Sequence, residues 1–289
     1  MFLGCAVPYR VGSYEISSRK ILQKLGVKLV EMPEFNCCGL PLDTIDHETM
    51  LTLAARNLAI AERAGLNIIS LCPGCAGTLK KVNKVINENN KLRDKINNNL
   101  NKAELQFKGS VKSKHILQFL IEDIGIEKIE KNVISPLSNL MVAEHVGCHL
   151  LRPRDFINFD DPEDPKVLKS LIEVTGATCL DYTNETQCCG APSVGVNDKV
   201  ALMLARDKLK NIKIAGAQAL ITSCPFCHIM FDTNELRIER MFKEKYGIPV
   251  LHYPQLLGLA MGMTPEELAF KDLRVDTTKI LKQVFQGVK

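Results

Sequence analysis

The sequence contains no tryptophan and only five tyrosines in 289 residues, and its 37 Lys+Arg against 33 Asp+Glu leave a formal net charge of +4. So few stacking platforms, with so small and dispersed a positive charge, argue against nucleic-acid binding. No apolar run reaches the roughly 18 residues of a membrane span, and Met1 to Pro8 lack the basic and long apolar regions of a secretory signal. The expectation is a cytoplasmic protein without membrane contact. The sequence also lacks a Gly-x-Gly-x-x-Gly, a Walker sequence and a closely spaced ferredoxin cysteine run. Neither nucleotide nor flavin therefore has an evident cradle in this chain, and electrons for redox chemistry must come from a partner protein.

What the sequence has is eleven cysteines. A chain long enough for about two domains of roughly 150 residues can bury its own core. An odd count also fits a secreted disulfide framework badly, so ligands or redox centres are the better reading. Without Cys179, the cysteines form two sets with one pattern: Cys5, Cys37-Cys38-Gly39, Cys72-Pro73-Gly74-Cys75, and Cys148, Cys188-Cys189-Gly190, Cys224-Pro225-Phe226-Cys227. His115-Ile116-Leu117-Gln118 and His252-Tyr253-Pro254-Gln255 echo each other after the two sets. Self-similarity over nearly the whole chain points to two equivalent modules, 1–135 and 136–289, with Ile134-Ser135-Pro136 as the break.

Short apolar runs predict strands at Phe2 to Cys5, Lys28 to Val30, Asn67 to Leu71, Met141 to Val146, Thr178 to Leu180 and Ala219 to Thr222. Helical spacing predicts helices at Ser17 to Leu25, His47 to Ala64, Lys166 to Val174 and Asp198 to Ile214, each ended by a glycine. The fold class is therefore α/β: two pseudo-twofold-related Rossmann-like modules with parallel sheets, each carrying one Cys-Cys-Gly motif near the carboxyl ends of its strands. Lys80 to Lys102, rich in Lys and Asn, reads as a solvated helix and loop that borders the partner interface, and Thr264 to Lys289 as an amphipathic tail.

Five thiolates per module exceed the four that structural zinc takes, and thioredoxin-like chemistry has no use for the adjacent pair. Several irons held close together can each take a separate thiolate, so iron–sulfur clusters fit best. Zinc and dithiol chemistry remain open on spacing alone. Gly39 and Gly190 allow a tight turn against inorganic sulfide, and Pro73 and Pro225 suit the first turn of helices whose N–H groups face an anionic cluster.

With Cys-Cys-Gly-Leu-Pro, Cys-Cys-Gly-Ala-Pro and both Cys-Pro-x-Cys pairs, the chain resembles the cysteine-rich CCG family. Two complete motifs and little else resemble the stand-alone B subunits of heterodisulfide reductases from methanogenic archaea. The resemblance implies two noncubane 4Fe-4S clusters, ligated by Cys5, Cys37, Cys38, Cys72 and Cys75, and by Cys148, Cys188, Cys189, Cys224 and Cys227. It implies reductive cleavage of the coenzyme M–coenzyme B disulfide. The partners implied are a ferredoxin-like C subunit and a flavin-bearing A subunit, alongside a hydrogenase or formate dehydrogenase. The alternative is a non-catalytic electron-transfer subunit of a quinone-linked or hydroxy-acid dehydrogenase.

Arg10, Arg152 and Arg154 follow ligand cysteines and are candidates to hold the anionic ends of such a substrate. His149 and His228, each directly after a second-set cysteine, read as packing groups or as proton donors to a product thiolate. Cys179 has no counterpart and reads as a small core residue. His115 and His252 read as structural hydrogen-bonding groups beside the two sites.

Overall fold

Two all-parallel sheets, one in each half of the chain, carry the strands. In the computed structural model, which describes residues 1–286, β1 (Ile68–Ser70) pairs with β2 (Ser113–His115), and Phe2 adds a single bridge to Ser70. The second sheet has the order β4 (Thr178–Cys179), β3 (Met141–His145), β5 (Ala219–Thr222), β6 (Val250–His252). Matching the repeats gives the first sheet the same order, but with its first half reduced. Phe2 bonds through its N–H to Ile69 O at 2.8 Å, yet Gly4 turns the chain away at φ +66°. Gly147 turns the chain at the equivalent place after β3, so the two modules differ ahead of the turn: β3 has five residues there, where the expected strand from Phe2 to Cys5 keeps one bridge.

Lys28 to Val30 is correspondingly not a strand, contrary to expectation. The Met1 ammonium donates to Val30 O at 3.4 Å, and Leu29 packs against the joining core. Lys28 and Val30 are exposed, so there is little buried apolar surface to hold this edge in a ladder.

The helices follow from their caps. His47–Arg63 starts on Asp46, whose carboxylate accepts from Thr49 N at 3.0 Å, and Asp198–Ile214 starts on Asn197, which accepts from Val200 N at 3.2 Å. They end on Gly65 and Gly216 in the left-handed region, with Leu66 N reaching Ala61 O and Ala217 N reaching Ile212 O, the six-to-one closure of a Schellman turn. The first expected helix begins earlier than Ser17, running Gly12–Lys24. Val167–Val174 starts against Asp160, whose Oδ2 accepts from Lys166 N at 3.0 Å and Val167 N at 2.8 Å.

The Lys- and Asn-rich stretch keeps its polar residues largely exposed, as expected, but also turns an apolar face inward. Pro73–Asn87 continues into it, a second helix covers Asn90–Leu100, and Ile96 and Leu100 are buried in the first module's core. Asn97 accepts from Phe107 N at 2.8 Å and donates to Phe107 O at 3.2 Å, clamping the returning chain. Farther on, Thr278–Gln286 is helical with Ile280 buried. Residues 287–289 of the expected tail lie outside the described residues.

Three apolar cores result. One surrounds Cys38, Cys72 and Cys75, and another surrounds Cys189, Cys224 and Cys227. The largest joins the modules, packing Val7, Tyr14 and Ile21 of the first against Val142, Ile221, Tyr253 and Leu256 of the second. Burial of shared apolar surface fixes the two sets relative to one another.

Candidate functional site

Each cysteine set is built by the same backbone. Cys72 and Cys224 leave strand ends in extended conformation (φ −110° and −124°) and cap helices that start at Pro73 and Pro225. The neighbouring Cys224 and Cys75 thiols, and after them the N–H groups of Cys75 and Gly74 at the helix start, favour the Cys72 thiolate. Gly39 and Gly190 sit at φ +88° and +87°. A Cβ there would stand 2.9 Å from Met50 O in the first turn and 2.4 Å from Ala201 O in the second, so both the left-handed backbone and the close approach of the following helix demand glycine. Gly39 N and Gly190 N each donate to the sulfur two residues back at 3.4 Å.

A second repeated glycine precedes the first cysteine of each set. Gly4 and Gly147 have φ +66° and +93°, and a Cβ at Gly4 would stand 2.8 Å from Cys75 Sγ. Gly4-Cys5 and Gly147-Cys148 are readable as a repeated dipeptide, but nothing in the sequence shows that the glycine backs onto another thiol.

The ten repeat cysteines form one line of interacting thiols. Cys5 interacts with Cys37, Cys37 with Cys38, Cys38 with Cys75 and Cys75 with Cys72. In the second module Cys148 interacts with Cys188, Cys188 with Cys189, Cys189 with Cys227 and Cys227 with Cys224. Cys72 and Cys224 interact with each other, so the lines meet at the module interface. His115 braces this point: Nδ1 accepts from Leu117 N at 3.2 Å, and Nε2 lies 3.3 Å from Leu71 O and 3.1 Å from Ser223 O, the residues just before Cys72 and Cys224. Tyr14 also donates to Ser223 O, at 3.0 Å. His252 is stacked between Tyr14 and His228, with centroids at 3.8 and 4.1 Å.

All eleven cysteines are free thiols, and exposure follows the repeat: Cys5, Cys37, Cys148 and Cys188 reach solvent, while the others are buried. Contact with Cys148 and Cys189 holds Cys188 strongly toward the thiolate, and contact with Cys188 pushes Cys148 up. In the first set Cys38 is lowered by Cys75, which is itself raised. Neighbouring sulfurs cannot all ionise in an apolar site unless cations neutralise them. Five thiols gathered in each module are thus a donor set for a soft, multi-metal centre, and zinc would leave a ligand unused. Cys179 stands apart in β4 within the joining core, its thiol raised chiefly by burial.

The basic candidates separate. Arg152 lines an interface cleft of about 260 Å³ with Leu40, Gly74, Lys81 and His149, and donates to Glu163 at 2.9 Å. Arg10 and Arg154 are exposed and do not line that cleft. His149 is exposed, with Nδ1 3.9 Å from Cys148 Sγ. His228 is buried, its Nε2 3.7 Å from Asp232 Oδ2, and burial lowers it to about 3. Lys81, whose Nζ donates to Asp43 at 3.0 Å, and the buried His145 were not anticipated.

The chain matches the cysteine-rich domain family CCG over residues 1–80 and 142–232. It is 37% identical to the B subunit of the ferredoxin/F420H2-dependent CoB-CoM heterodisulfide reductase of Methanosarcina acetivorans, over 99% of this chain and 96% of that one. The chain belongs to the CCG family of heterodisulfide reductase B subunits. It is thereby an oxidoreductase subunit with iron–sulfur-type cysteine domains. A CCG relative at 29% identity, over 96% of this chain and 97% of its own length, is the 8-methylmenaquinol:fumarate reductase membrane anchor subunit of Wolinella succinogenes. Among the described residues no helix is long and apolar enough to cross a membrane. The fold also matches the crystal structure of a hypothetical protein from Helicobacter pylori, at TM-score 0.75 and 20% identity, over 96% of this chain and 52% of that one.

Proposed function

We propose that this chain is the catalytic subunit of a heterodisulfide reductase. Each five-cysteine set holds one noncubane 4Fe-4S cluster, and the coenzyme M–coenzyme B disulfide is cleaved between them. The observation that carries this reading is His115, whose Nε2 lies 3.3 Å from Leu71 O and 3.1 Å from Ser223 O and so draws the segments just before Cys72 and Cys224, and with them the two donor sets, together at the module interface. A disulfide takes two electrons and two protons to give two thiols. When bound, the clusters supply single electrons and iron sites for the separating sulfurs.

The chain's own residues do the rest. Leu40, Gly74 and Phe156 give the cleft apolar walls, and Lys81 and Arg152 offer cations to a sulfonate, phosphate or carboxylate end. Arg10 and Arg154, exposed beyond Cys5 and Cys148, extend this basic rim. His149, which lines the cleft beside Cys148, holds the proton for a departing thiolate. His228, enclosed by the stack with His252, serves packing instead. Electrons enter through ferredoxin-like C and flavin-bearing A subunits, with a hydrogenase or formate dehydrogenase behind them, in a cytoplasmic complex. The relatives named as ferredoxin-dependent support such a donor.

The test is anaerobic turnover of the purified chain with a reduced one-electron dye, following thiol release and EPR. Two thiols formed per disulfide support catalysis in this chain. Intact clusters without thiol release would favour an electron-transfer role, the reading the Wolinella relative supports.

A further inference from the structure

The two sets share a backbone but differ in what stands behind them. With Gly4-Cys5 aligned on Gly147-Cys148, His145 of β3 occupies the position held by Phe2 in the first module. Phe2 packs in the core with Cys38, Cys72 and Cys75. At His145 a ring nitrogen and the sulfurs of Cys189 and Cys227 all lie within 4.8 Å of one another. The His145 residue is 3% exposed, and neither Nδ1 nor Nε2 has a hydrogen-bond partner among the described residues. Phe231 meets it edge-on, with centroids 5.4 Å apart at 83°, and limits how far it can turn.

An unpaired buried polar group costs about 1–3 kcal/mol, and the first module shows that the same position accepts a phenyl ring without that cost. A neutral imidazole carries one N–H donor in either tautomer, whereas a ligating thiolate is an acceptor only. The partner His145 lacks is therefore of the kind the adjacent sulfurs become when they bind metal.

The structure assigns to His145 a tuning role at the second site: it donates its ring N–H to a ligating sulfur of Cys189 or Cys227 and makes the second cluster the more easily reduced of the two. Such a bond draws electron density from the sulfur and stabilises the reduced, more negative state. Phe2 gives the first cluster no equivalent. Two identical five-cysteine sets thereby acquire unequal potentials, and the second fills first. The inference rests on both sets holding iron–sulfur clusters.

The experiment is an anaerobic EPR redox titration of the full chain and of His145→Phe, His145→Leu and His145→Gln, each first analysed for iron and sulfide. Cys38→Ser and Cys189→Ser assign the signals to the two clusters. With iron content unchanged, the Phe and Leu variants should lower the second cluster's midpoint by about 60 mV, a tenfold change for a one-electron couple, and leave the first unmoved. Gln, which keeps an N–H donor, should restore much of the shift. The Leu variant carries the test if Phe does not fold. Unchanged midpoints overturn the assignment, and so does loss of about half the iron, which would make His145 a ligand. Wild-type protein without iron and sulfide would overturn the cluster reading itself, a failure the metal analysis distinguishes.

Discussion

The first module builds its site on an apolar scaffold, and the second builds the same site among buried ionisable groups. Around the first set the enclosed polar residues are neutral: Ser17, Asn57, Ser70, Thr78 and His115, the last lowered by burial to about 4. Around the second they include Glu144, His145, Lys208, His228, Asp232, Glu235 and Glu239. Equivalent positions make the contrast concrete. Asn57 and Lys208 stand equally far beyond the capping Asp46 and Asn197, and both hold the loop that delivers the adjacent cysteines. Asn57 Nδ2 donates to Cys37 O at 3.1 Å and its Oδ1 accepts from Asn36 N at 3.0 Å. Lys208 Nζ donates to Asn184 O at 2.7 Å and Glu185 O at 2.8 Å. A duplicated frame can thus keep its ligand geometry while the surrounding electrostatics diverge, which is what two sites with different tasks require.

The largest stability effect should come from the repeated turn glycines. Gly190→Ala and Gly39→Ala each put an alanine into left-handed backbone, costing about 1–2 kcal/mol before any clash. The 2.4 Å approach to Ala201 O against 2.9 Å to Met50 O makes Gly190→Ala the worse. Denaturant unfolding checks this, and equal losses would break the claim that the second turn is tighter.

Next come the loop holders. Lys208→Met and Asn57→Leu strand buried carbonyls or an amide, at about 1–3 kcal/mol for each unmet group. Both variants should also lower metal retention, each in its own module. If either left its set unaffected, the equivalence of the two positions would fall.

Among the buried ionisable groups of the second module, Glu235 predicts a pH signature of its own. Glu235 is 1% exposed and burial raises its carboxyl to about 8, against an ordinary value near 4.5. Between those values the folded chain keeps a proton that the unfolded chain has released, so stability falls as pH rises, by up to about 1.4 kcal/mol per pH unit from this group. Glu235→Gln should flatten the slope between about pH 5 and 8 in unfolding measurements, and an unchanged slope would assign it to other groups.

The smallest effect should be at Cys179, where serine replaces a buried thiol in the joining core. A loss of about 1 kcal/mol with all metal retained is expected, and metal loss would return Cys179 to the ligands.

Much of this was legible because repetition is informative. Met141 to Val146 and Ala219 to Thr222 read as strands and are β3 and β5, and glycines marked the helix ends correctly. What was hidden had weak or ambiguous signals. Ile96 and Leu100 are one helical turn apart, but lysines and asparagines around them masked that inward face. Lys28 to Val30 reads as a strand because residues alone do not show that the neighbouring chain at Phe2 offers a single bridge instead of a ladder. Glu144 and His145 lie in a strand buried on both faces, where alternation says nothing about which side chain meets a thiol. The His115 bridge between Leu71 O and Ser223 O, beside Cys72 and Cys224, joins residues far apart in sequence, and only the packing of the modules brings it about.

The central claim is that two complete thiolate sets hold one four-iron cluster each. Iron and acid-labile sulfide measured anaerobically in the full chain, Cys38→Ser and Cys189→Ser test it most directly. The account predicts about eight irons per chain in the first and about four in each variant, with sulfide in proportion. Stoichiometric zinc without sulfide, or an iron content indifferent to either substitution, would contradict it.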